Sequence, residues 1–254
     1  MGEQRIMTNR KLWLRQFRPA PTAGVRLVCF PHAGGSASYF LPMVTALAPD
    51  VDVIAVQYPG RQDRHREPLV DNIVELATTV AGLLDDEDGR PTALFGHSMG
   101  ALVAFEVARL LEKRGPRPAA LFVSGRSAPS VHNRRSTHLL PDADLIADVK
   151  RLSGTDSRIW ETPDMVEMVL PVIRNDYRAV NTYTYVPGPD VSCDIMALIG
   201  DEDTMVTPDK ADQWGAHTTG SFTRHIYPGG HFYLDTHFPA VSRRIAEYLT
   251  KAAG

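Results

Sequence analysis

The chain has 254 residues, of which 43% are hydrophobic and 22% are charged, and this is enough for one large α/β domain or two small ones. The sequence contains 27 Lys and Arg and 30 Asp and Glu, which gives a formal net charge of -3. Nucleic-acid binders usually carry an excess of basic residues, so we expect no nucleic-acid partner. The only cysteines, Cys29 and Cys193, exclude a disulfide framework and a CxxC metal site.

The N-terminal residues 1–17 carry scattered charges and no continuous apolar run, so they do not resemble a secretory signal. Further along the chain, no apolar stretch approaches the roughly 18 residues that a membrane-spanning helix needs. We therefore expect a soluble, cytoplasmic protein that does not contact a membrane.

Short β-branched runs alternate with longer amphipathic segments, which predicts a mostly parallel sheet whose strands are joined by crossover helices. The predicted strands are residues 25–30, 51–57, 93–95, 119–124, 195–199 and 224–227. The predicted helices that alternate with them or close the chain are residues 70–84, 101–114 and 241–249. No internal repeat or Pro/Gly-rich linker divides the chain, so we expect one domain over residues 1–254.

One interval, residues 126–185, breaks this alternation, because it is too long for an ordinary connection and contains no convincing strand. Two helices are predicted in it, over residues 142–152 and 165–180. The second helix is apolar on more than one face and must therefore cover something. We expect the interval to be a helical lid over the strand ends. An inserted helical pair that only completes the core is the alternative.

A nucleophile motif follows the third predicted strand. The stretch Gly96-His97-Ser98-Met99-Gly100 has the G-x-S-x-G pattern, which places a serine on a sharp strand-to-helix turn with its hydroxyl exposed at the helix N-terminus. An apolar run precedes the motif and a helical segment follows it, which is the context that the motif requires. We predict that Ser98 is a nucleophile rather than an ordinary helix-capping serine.

A serine nucleophile needs a base and an orienting acid, and after a turn of this kind they follow in the order Asp or Glu, then His. Asp203 lies in a G-x-x-D turn after the predicted strand 195–199, and His231 lies behind two glycines after the last predicted strand. We predict that Asp203 is the acid and His231 the base. Asp201 remains an alternative acid.

The negative charge that develops on the attacked carbonyl oxygen needs two backbone donors. The amide of Met99, directly after the nucleophile, is one. The glycine-rich loop at residues 30–35 is expected to supply the other from Ala33. His32, in the same loop, is expected to brace the loop rather than to take part in the reaction.

Four segments in this order resemble the type II thioesterases that accompany modular polyketide and non-ribosomal peptide synthases. They are residues 26–37 (RLVCFPHAGGSA), 96–101 (GHSMGA), 170–176 (LPVIRND) and 228–232 (PGGHF). The resemblance runs from about Trp13 to the end of the chain. It implies the α/β-hydrolase fold, with a mostly parallel central sheet flanked by helices and a helical lid insertion.

The resemblance also implies an activity, which is hydrolysis of acyl groups from the phosphopantetheine thiol of acyl or peptidyl carrier proteins to remove aberrant or stalled chains. The triad would be Ser98, Asp203 and His231, and the oxyanion donors would be Ala33 and Met99. No cofactor and no metal are implied, because the phosphopantetheine belongs to the substrate. The sequence departs from the family at Ser127, where a second basic residue is common and a phosphate contact is therefore in doubt, and at Asn175.

Two further expectations concern substrate recognition. Met165 and Met168 on the second helix of the interval would line an adaptable acyl pocket, with simple packing as the alternative. Carrier proteins of this class are usually acidic and this chain is itself slightly negative, so docking would depend on local basic residues. The candidates are Arg126, Arg134, Arg135, Lys150 and Arg151.

Other functions remain open on the sequence. The same triad would serve a small-ester hydrolase or an acyltransferase. A non-catalytic binding module on a hydrolase scaffold is a further alternative, although such proteins usually lose a triad residue and this chain retains all three. Nothing in the sequence indicates an obligate partner, so we expect a monomer.

Overall fold

The computed structural model describes residues 9–84, 89–131, 135–152, 157–188 and 190–252. Its centre is one seven-stranded sheet in the order β1-β3-β2-β4-β5-β6-β7. The strands are β1 (Leu14–Arg15), β2 (Val25–Phe30), β3 (Val51–Val56), β4 (Thr92–His97), β5 (Leu121–Ser124), β6 (Ile195–Gly200) and β7 (Phe222–Tyr227). The first strand is antiparallel to β3 and every other pairing is parallel, so the predicted parallel sheet is confirmed.

Helices join and follow the strands. They are α1 (Leu41–Leu47), α2 (Ile73–Leu83), α3 (Met99–Arg114), α4 (Asp142–Leu152), α5 (Pro163–Thr182), α6 (Pro208–Asp212) and α7 (Leu234–Ala252). Short 3-10 helices cover Ala37–Phe40, Gln62–Arg64, Thr137–Leu139, Ser157–Glu161 and Gln213–His217. Within the described parts of the chain, no helix is long and apolar enough to cross a membrane.

The sheet is covered on both faces, because its central strands are apolar on both sides. All six residues of β3 and of β6 are buried, as is typical of parallel strands between two helical layers. One apolar core lies between the sheet and the pair α2 and α3, and a second lies between the opposite face and the pair α1 and α7. The carboxyl ends of the strands are thereby left as one edge on which loop residues meet.

The segment between β5 and β6 contains α4 and α5, as predicted, and none of its described residues between 126 and 185 forms a strand. We call residues 126–185 the insertion. Its two helices pack on each other through a small apolar cluster of their own, formed by Leu145, Val149, Leu170 and Ile173.

The structure differs from the sequence prediction at short or proline-containing elements. The two-residue strand β1 and the seven-residue helix α1 were not predicted, since neither is long enough to show a period. The last helix begins at Leu234, seven residues before the predicted start at Val241, and Pro239 lies inside it. Proline usually breaks a helix. Here the buried side chains of Leu234 and Phe238 continue the apolar face across it.

Candidate active site

Ser98 occupies a strained turn between β4 and α3. Its φ of 54° and ψ of -112° lie outside the regions that a serine ordinarily adopts, and such a conformation costs on the order of 1–3 kcal/mol. The amide of Ser98 donates to the carbonyl of Ser124 at 2.8 Å, which holds the turn against β5. The side chain makes no capping bond to the helix that follows, so its hydroxyl is available to other groups.

The two predicted partners lie in line with this hydroxyl. Nε2 of His231 is 2.9 Å from Oγ of Ser98, and Nδ1 of the same ring is 2.9 Å from Oδ2 of Asp203. Asp203 follows β6 and His231 follows β7, so residues far apart in the sequence meet at the carboxyl edge of the sheet. His231 and Asp203 are buried, whereas Ser98 is partly exposed.

The structure distinguishes Asp203 from Asp201. The second carboxylate oxygen of Asp203 accepts the amides of Met205 at 2.7 Å and Val206 at 3.2 Å, which aims the other oxygen at the imidazole. Asp201 instead accepts the amide of Gly229 at 2.8 Å and thereby holds the loop that carries the histidine. The imidazole therefore faces Asp203 and not Asp201.

The two predicted oxyanion donors lie on backbone segments that touch each other. A Cβ on Gly100 would lie 2.0 Å from the carbonyl oxygen of Phe30, so only glycine lets the start of α3 approach the end of β2 this closely. Met99 is in the first turn of α3, where amides have no acceptor within the helix. Ala33 lines the same cavity as Ser98 and His231.

Two cavities open on Ser98. One reaches under the insertion. Its walls include Val149, Leu152, Tyr177, Val180, Met205 and Phe232. The other is bordered by Gly125, Arg126, Ser127, Thr204, Val206 and Lys210. Ser98 and His231 line both, so these two side chains lie where the two cavities meet.

Two further imidazoles surround the His231 ring. The ring of His97 is 5.5 Å from that of His231 and 5.9 Å from that of His32. Burial, with the charges of His231 and Arg61, lowers the pKa of His32 to about 3. Burial, with the charges of His231 and His32, holds the pKa of His97 well below its usual range. Both rings are therefore neutral at neutral pH.

His32 packs edge-on against Tyr39 and Phe232, with ring centroids 4.5 Å and 4.8 Å away. This placement fits the predicted role of bracing the loop. His97 joins a buried polar chain, because its Nδ1 is 2.9 Å from Oγ of Ser124, which is 2.7 Å from the hydroxyl of Tyr233.

Arg126 was expected to belong to an outer docking surface, but the structure places it at the cavities. It is partly buried and lines both cavities beside Ser98. Burial lowers the pKa of its guanidinium to about 10, so the group is still a cation at neutral pH. Its backbone carbonyl accepts the indole N–H of Trp214 at 2.8 Å, which fixes the residue after the β5 turn.

The other docking candidates that the structure describes lie in two different places. Lys150 and Arg151, in the last turn of α4, are exposed, and Arg151 forms an ion pair with Asp148. Arg135 borders both cavities and donates to the sulfur of Met205 at 2.7 Å. Arg134 lies outside the described residues.

The expectation that Met165 and Met168 line an acyl pocket is corrected. Their exposures are 41% and 57%, and neither lines the cavities at Ser98. The cavity is lined instead by Tyr177 and Val180, nearer the end of the same helix. Because α5 is apolar on more than one face, its sequence did not reveal which face turns inward.

Sequence reasoning missed a buried ion pair beside the site. Nη1 of Arg61 is 2.7 Å from Oδ2 of Asp176, and both side chains are almost completely buried. The signals were an aspartate on an otherwise apolar face of a helix and its place at the end of the segment 170–176, one of the four that carry the family resemblance. Asn175, one of the departures from the resembled family, donates to the carbonyl of Val70 at 2.9 Å. In the described part of the chain, no cluster of three or more His, Cys, Asp or Glu residues is arranged to hold a metal ion.

Comparison with known proteins identifies relatives over nearly the whole chain. The thioesterase domain family matches residues 25–249. The thioesterase PikA5 of Streptomyces venezuelae is 44% identical over 257 residues, which cover 100% of this chain and 91% of that protein.

Solved structures of similar proteins agree. The type II thioesterase BorB from the borrelidin biosynthetic cluster is 49% identical, with a TM-score of 0.85 over 94% of this chain and 97% of that one. YbtT, a type II thioesterase from the yersiniabactin NRPS/PKS pathway, is 30% identical, with a TM-score of 0.86 over 94% and 99% of the two chains. The mostly parallel sheet flanked by helices is the α/β-hydrolase fold of these enzymes.

Proposed function

Because this chain belongs to the thioesterase family and is a thioester-hydrolysing serine hydrolase, we propose that it hydrolyses acyl groups from the phosphopantetheine thiol of acyl or peptidyl carrier proteins. The role would be to remove aberrant or stalled chains from a polyketide or non-ribosomal peptide synthase. The observation that carries the proposal is the alignment of Ser98, His231 and Asp203 at 2.9 Å each beside two cavities. No cofactor is needed for this chemistry.

In the first half of the reaction, Nε2 of His231 takes the proton from Oγ of Ser98 as that oxygen attacks the thioester carbonyl. Asp203 keeps the imidazole in the tautomer with a proton on Nδ1 and stabilises the charged ring. The amides of Ala33 and Met99 donate to the developing oxyanion. The C–S bond then breaks, His231 protonates the departing pantetheine sulfur, and an acyl ester remains on Ser98.

In the second half, water replaces the thiol. His231 removes a proton from the water as it attacks the acyl ester, and the same donors hold the second oxyanion. Collapse breaks the ester bond, returns the proton to Oγ of Ser98 and releases a free acid. Water must therefore reach the acyl-enzyme, whereas an acyltransferase would have to exclude it.

We propose that the chain forms one domain in which the insertion acts as a lid. The cavity lined by Tyr177 and Val180 would receive the acyl chain, since it is the one that extends beneath α5. The cavity bordered by Arg126, Ser127 and Lys210 would admit the phosphopantetheine arm of the substrate. The cations of this cavity would attract the phosphate of that arm.

For the carrier protein, we propose a docking surface near the exposed end of α4. Lys150 and Arg151 are exposed cations there, and an acidic carrier would be steered towards them. The protein would act as a cytoplasmic monomer that meets its carrier transiently.

The experiment that tests the function is a turnover panel. Carrier proteins loaded with acetyl, propionyl, malonyl-type and longer acyl chains are incubated with the enzyme, and the released acids are measured by mass spectrometry. Hydrolysis of many short chains supports an editing enzyme. Preference for one long mature chain would indicate product release, and faster cleavage of oxygen esters or transfer to an added acceptor would indicate an esterase or an acyltransferase.

A further inference from the structure

One buried carboxylate ties the insertion to the loop that carries Ala33. Asp176, in the middle of α5, has no exposed surface. Its Oδ2 accepts the amide of Gly34 at 2.7 Å, and the same oxygen accepts Nη1 of Arg61 at 2.7 Å. Its Oδ1 accepts Nη2 of Arg61 at 3.0 Å. The helix is thus bonded to the residue that directly follows the proposed oxyanion donor.

The same helix also touches this loop through an apolar side chain. A Cβ on Gly34 would lie 2.8 Å from Cγ1 of Ile173, one turn before Asp176, and the φ of Gly34 is +76°. Helix and loop therefore fit against each other without space for a side chain between them. The loop conformation at Gly34 and the position of α5 are mutually dependent.

Arg61 supports the loop from the other side. Its Nη1 donates to the carbonyl of Gly35 at 3.2 Å, and its Nε donates to that of Pro59 at 3.2 Å. The carbonyl of Arg61 accepts Nε2 of Gln57, whose Oε1 accepts the amide of Ala37 at 2.8 Å. The backbone from Gly34 to Ala37 is therefore held by bonds that converge on the Arg61–Asp176 pair.

Stability alone does not explain this pair. Taking two charges out of water costs so much that a buried ion pair is often replaced by apolar residues with no loss of stability. What the pair does provide is a fixed geometry. An oxyanion donor acts only when it lies about 2.7–3.1 Å from the position of the developing charge, and a displacement of about 1 Å in a reacting group costs on the order of 100-fold in rate.

We propose that Asp176 is a positioning residue. Through it, the position of the Ala33 amide depends on whether α5 is packed against the loop at Gly34. When the helix is seated, its carboxylate and Ile173 hold Gly34 and the adjacent donor in place. When the helix moves away, the loop loses both contacts at once and the oxyanion hole is incomplete. Hydrolysis is thereby restricted to the state in which the insertion covers the acyl chain. This inference rests on the proposed function of Ser98 and Ala33.

The test separates ground-state binding from stabilisation of the oxyanion. Asp176→Asn keeps the size of the side chain but removes its charge from Arg61. A trifluoromethyl ketone analogue of acyl-pantetheine forms a tetrahedral adduct with the serine and needs the oxyanion hole, whereas the corresponding amide does not react. We expect Asp176→Asn to lower kcat about 10- to 100-fold and to weaken trifluoromethyl ketone binding by the same factor. KM and amide binding should stay within twofold of the wild-type values.

The matched control is Arg178→Ala on the same helix. Arg178 forms an exposed ion pair with Asp71, 3.1 Å away. Among the described residues, it makes no hydrogen bond to the loop that carries Ala33. This variant should keep the wild-type kcat and inhibitor affinity. If Asp176→Asn does not fold, Ile173→Ala removes the second contact without altering a charge and should show the same selective loss.

The proposal is overturned if the folded Asp176 or Ile173 variant keeps kcat and trifluoromethyl ketone affinity within twofold of wild type, or loses affinity for both analogues equally. A different result would contradict the proposed function. If the wild type binds the trifluoromethyl ketone but releases no acid from acyl-carriers, the substrate assignment is wrong, and the inhibitor affinities still decide the positioning role.

Discussion

Oδ2 of Asp203 lies 2.9 Å from Nδ1 of His231, on the opposite side of the imidazole ring from Ser98. Asp201 is only two residues away in the sequence, yet its carboxylate accepts the amide of Gly229. The two acids of this turn therefore make different contacts, since Asp203 binds the imidazole of His231 and Asp201 binds the loop that carries this histidine.

This difference predicts unequal effects of two matched substitutions. Asp203→Asn keeps the size of the side chain but favours the wrong imidazole tautomer, and we expect kcat to fall by about 10⁴-fold, as when the acid of a Ser-His-Asp triad is neutralised. Asp201→Asn can still accept the amide of Gly229 through its carbonyl oxygen, so a loss of less than about 10-fold is expected. Steady-state turnover of one acyl-carrier substrate measures both. Equal losses in the two variants would contradict the assignment of Asp203.

The close approach of α3 to β2 predicts a second pair of effects. Gly100→Ala would place a methyl group 2.0 Å from the carbonyl oxygen of Phe30, which backbone atoms cannot easily relieve. We expect a loss of about 3 kcal/mol or more in the free energy of unfolding, at the upper end of overpacking effects. Chemical denaturation followed by circular dichroism measures it.

Gly82→Ala is the control for this substitution. A Cβ on Gly82 has no atom within 4 Å, and the residue lies in α2, so the change should stabilise the protein by about 0.5 kcal/mol through helix propensity. A Gly100→Ala protein as stable as the Gly82→Ala protein would show that the two backbone segments are not held together as described.

Burial of His32 predicts a pH dependence of stability. The pKa of its ring is about 3 in the folded protein, whereas the ordinary value is 6.5. Between pH 6.5 and pH 3, His32 is therefore protonated in the unfolded chain and neutral in the folded chain. It has no effect on stability above pH 6.5 and lowers the free energy of unfolding as the pH falls below that value. Between pH 7.5 and pH 5.5 it should lower the free energy of unfolding by about 1.4 kcal/mol.

Substitution isolates this contribution from those of other titrating groups. His32→Phe keeps an aromatic ring against Tyr39 and Phe232 but cannot bind a proton. The stability difference between the variant and wild type, measured by denaturation at several pH values, should shift in favour of the variant by about 1.4 kcal/mol over that range. Parallel stability curves would mean that His32 does not stay neutral in the fold.

The proposed docking surface predicts an effect on carrier substrates alone. Reversing Lys150 and Arg151 to Glu together should raise KM for an acyl-carrier about 5- to 20-fold and reduce its dependence on salt, because steering by exposed charges is screened by ions. An acyl-pantetheine thioester without the carrier is the control substrate, and its kinetics should not change. Unchanged KM and salt dependence for the carrier would place docking elsewhere.

The close approach of Ser98 and His231 could be predicted because each residue is marked by local sequence. Ser98 is surrounded by a five-residue pattern with a strand before it and a helix after it, and His231 follows two glycines at the end of the last strand. Asp203 was predicted with Asp201 as an alternative, since the sequence does not show which carboxylate turns towards the imidazole.

Other parts of the site depend on contacts between distant residues, which no local pattern reveals. Arg61 and Asp176 are 115 positions apart and meet only after the insertion has folded back over the sheet. Met165 and Met168 illustrate the same limit, because a helix with apolar residues on several faces does not show which face lies over the cavity. Arg126 was predicted to belong to the basic residues that dock an acidic carrier, since the sequence does not show that it borders both cavities beside Ser98.

The central claim is that Ser98 carries the acyl group between the carrier protein and water. Rapid-quench mass spectrometry of the enzyme mixed with an acyl-carrier, together with turnover of wild type and Ser98→Ala, tests it most directly. We expect a transient mass increase equal to the acyl group, located on Ser98, and a fall in turnover of at least about 10³-fold in the alanine variant. A Ser98→Ala protein that releases the free acid at the wild-type rate, with no acyl adduct on the wild-type enzyme, would contradict the account.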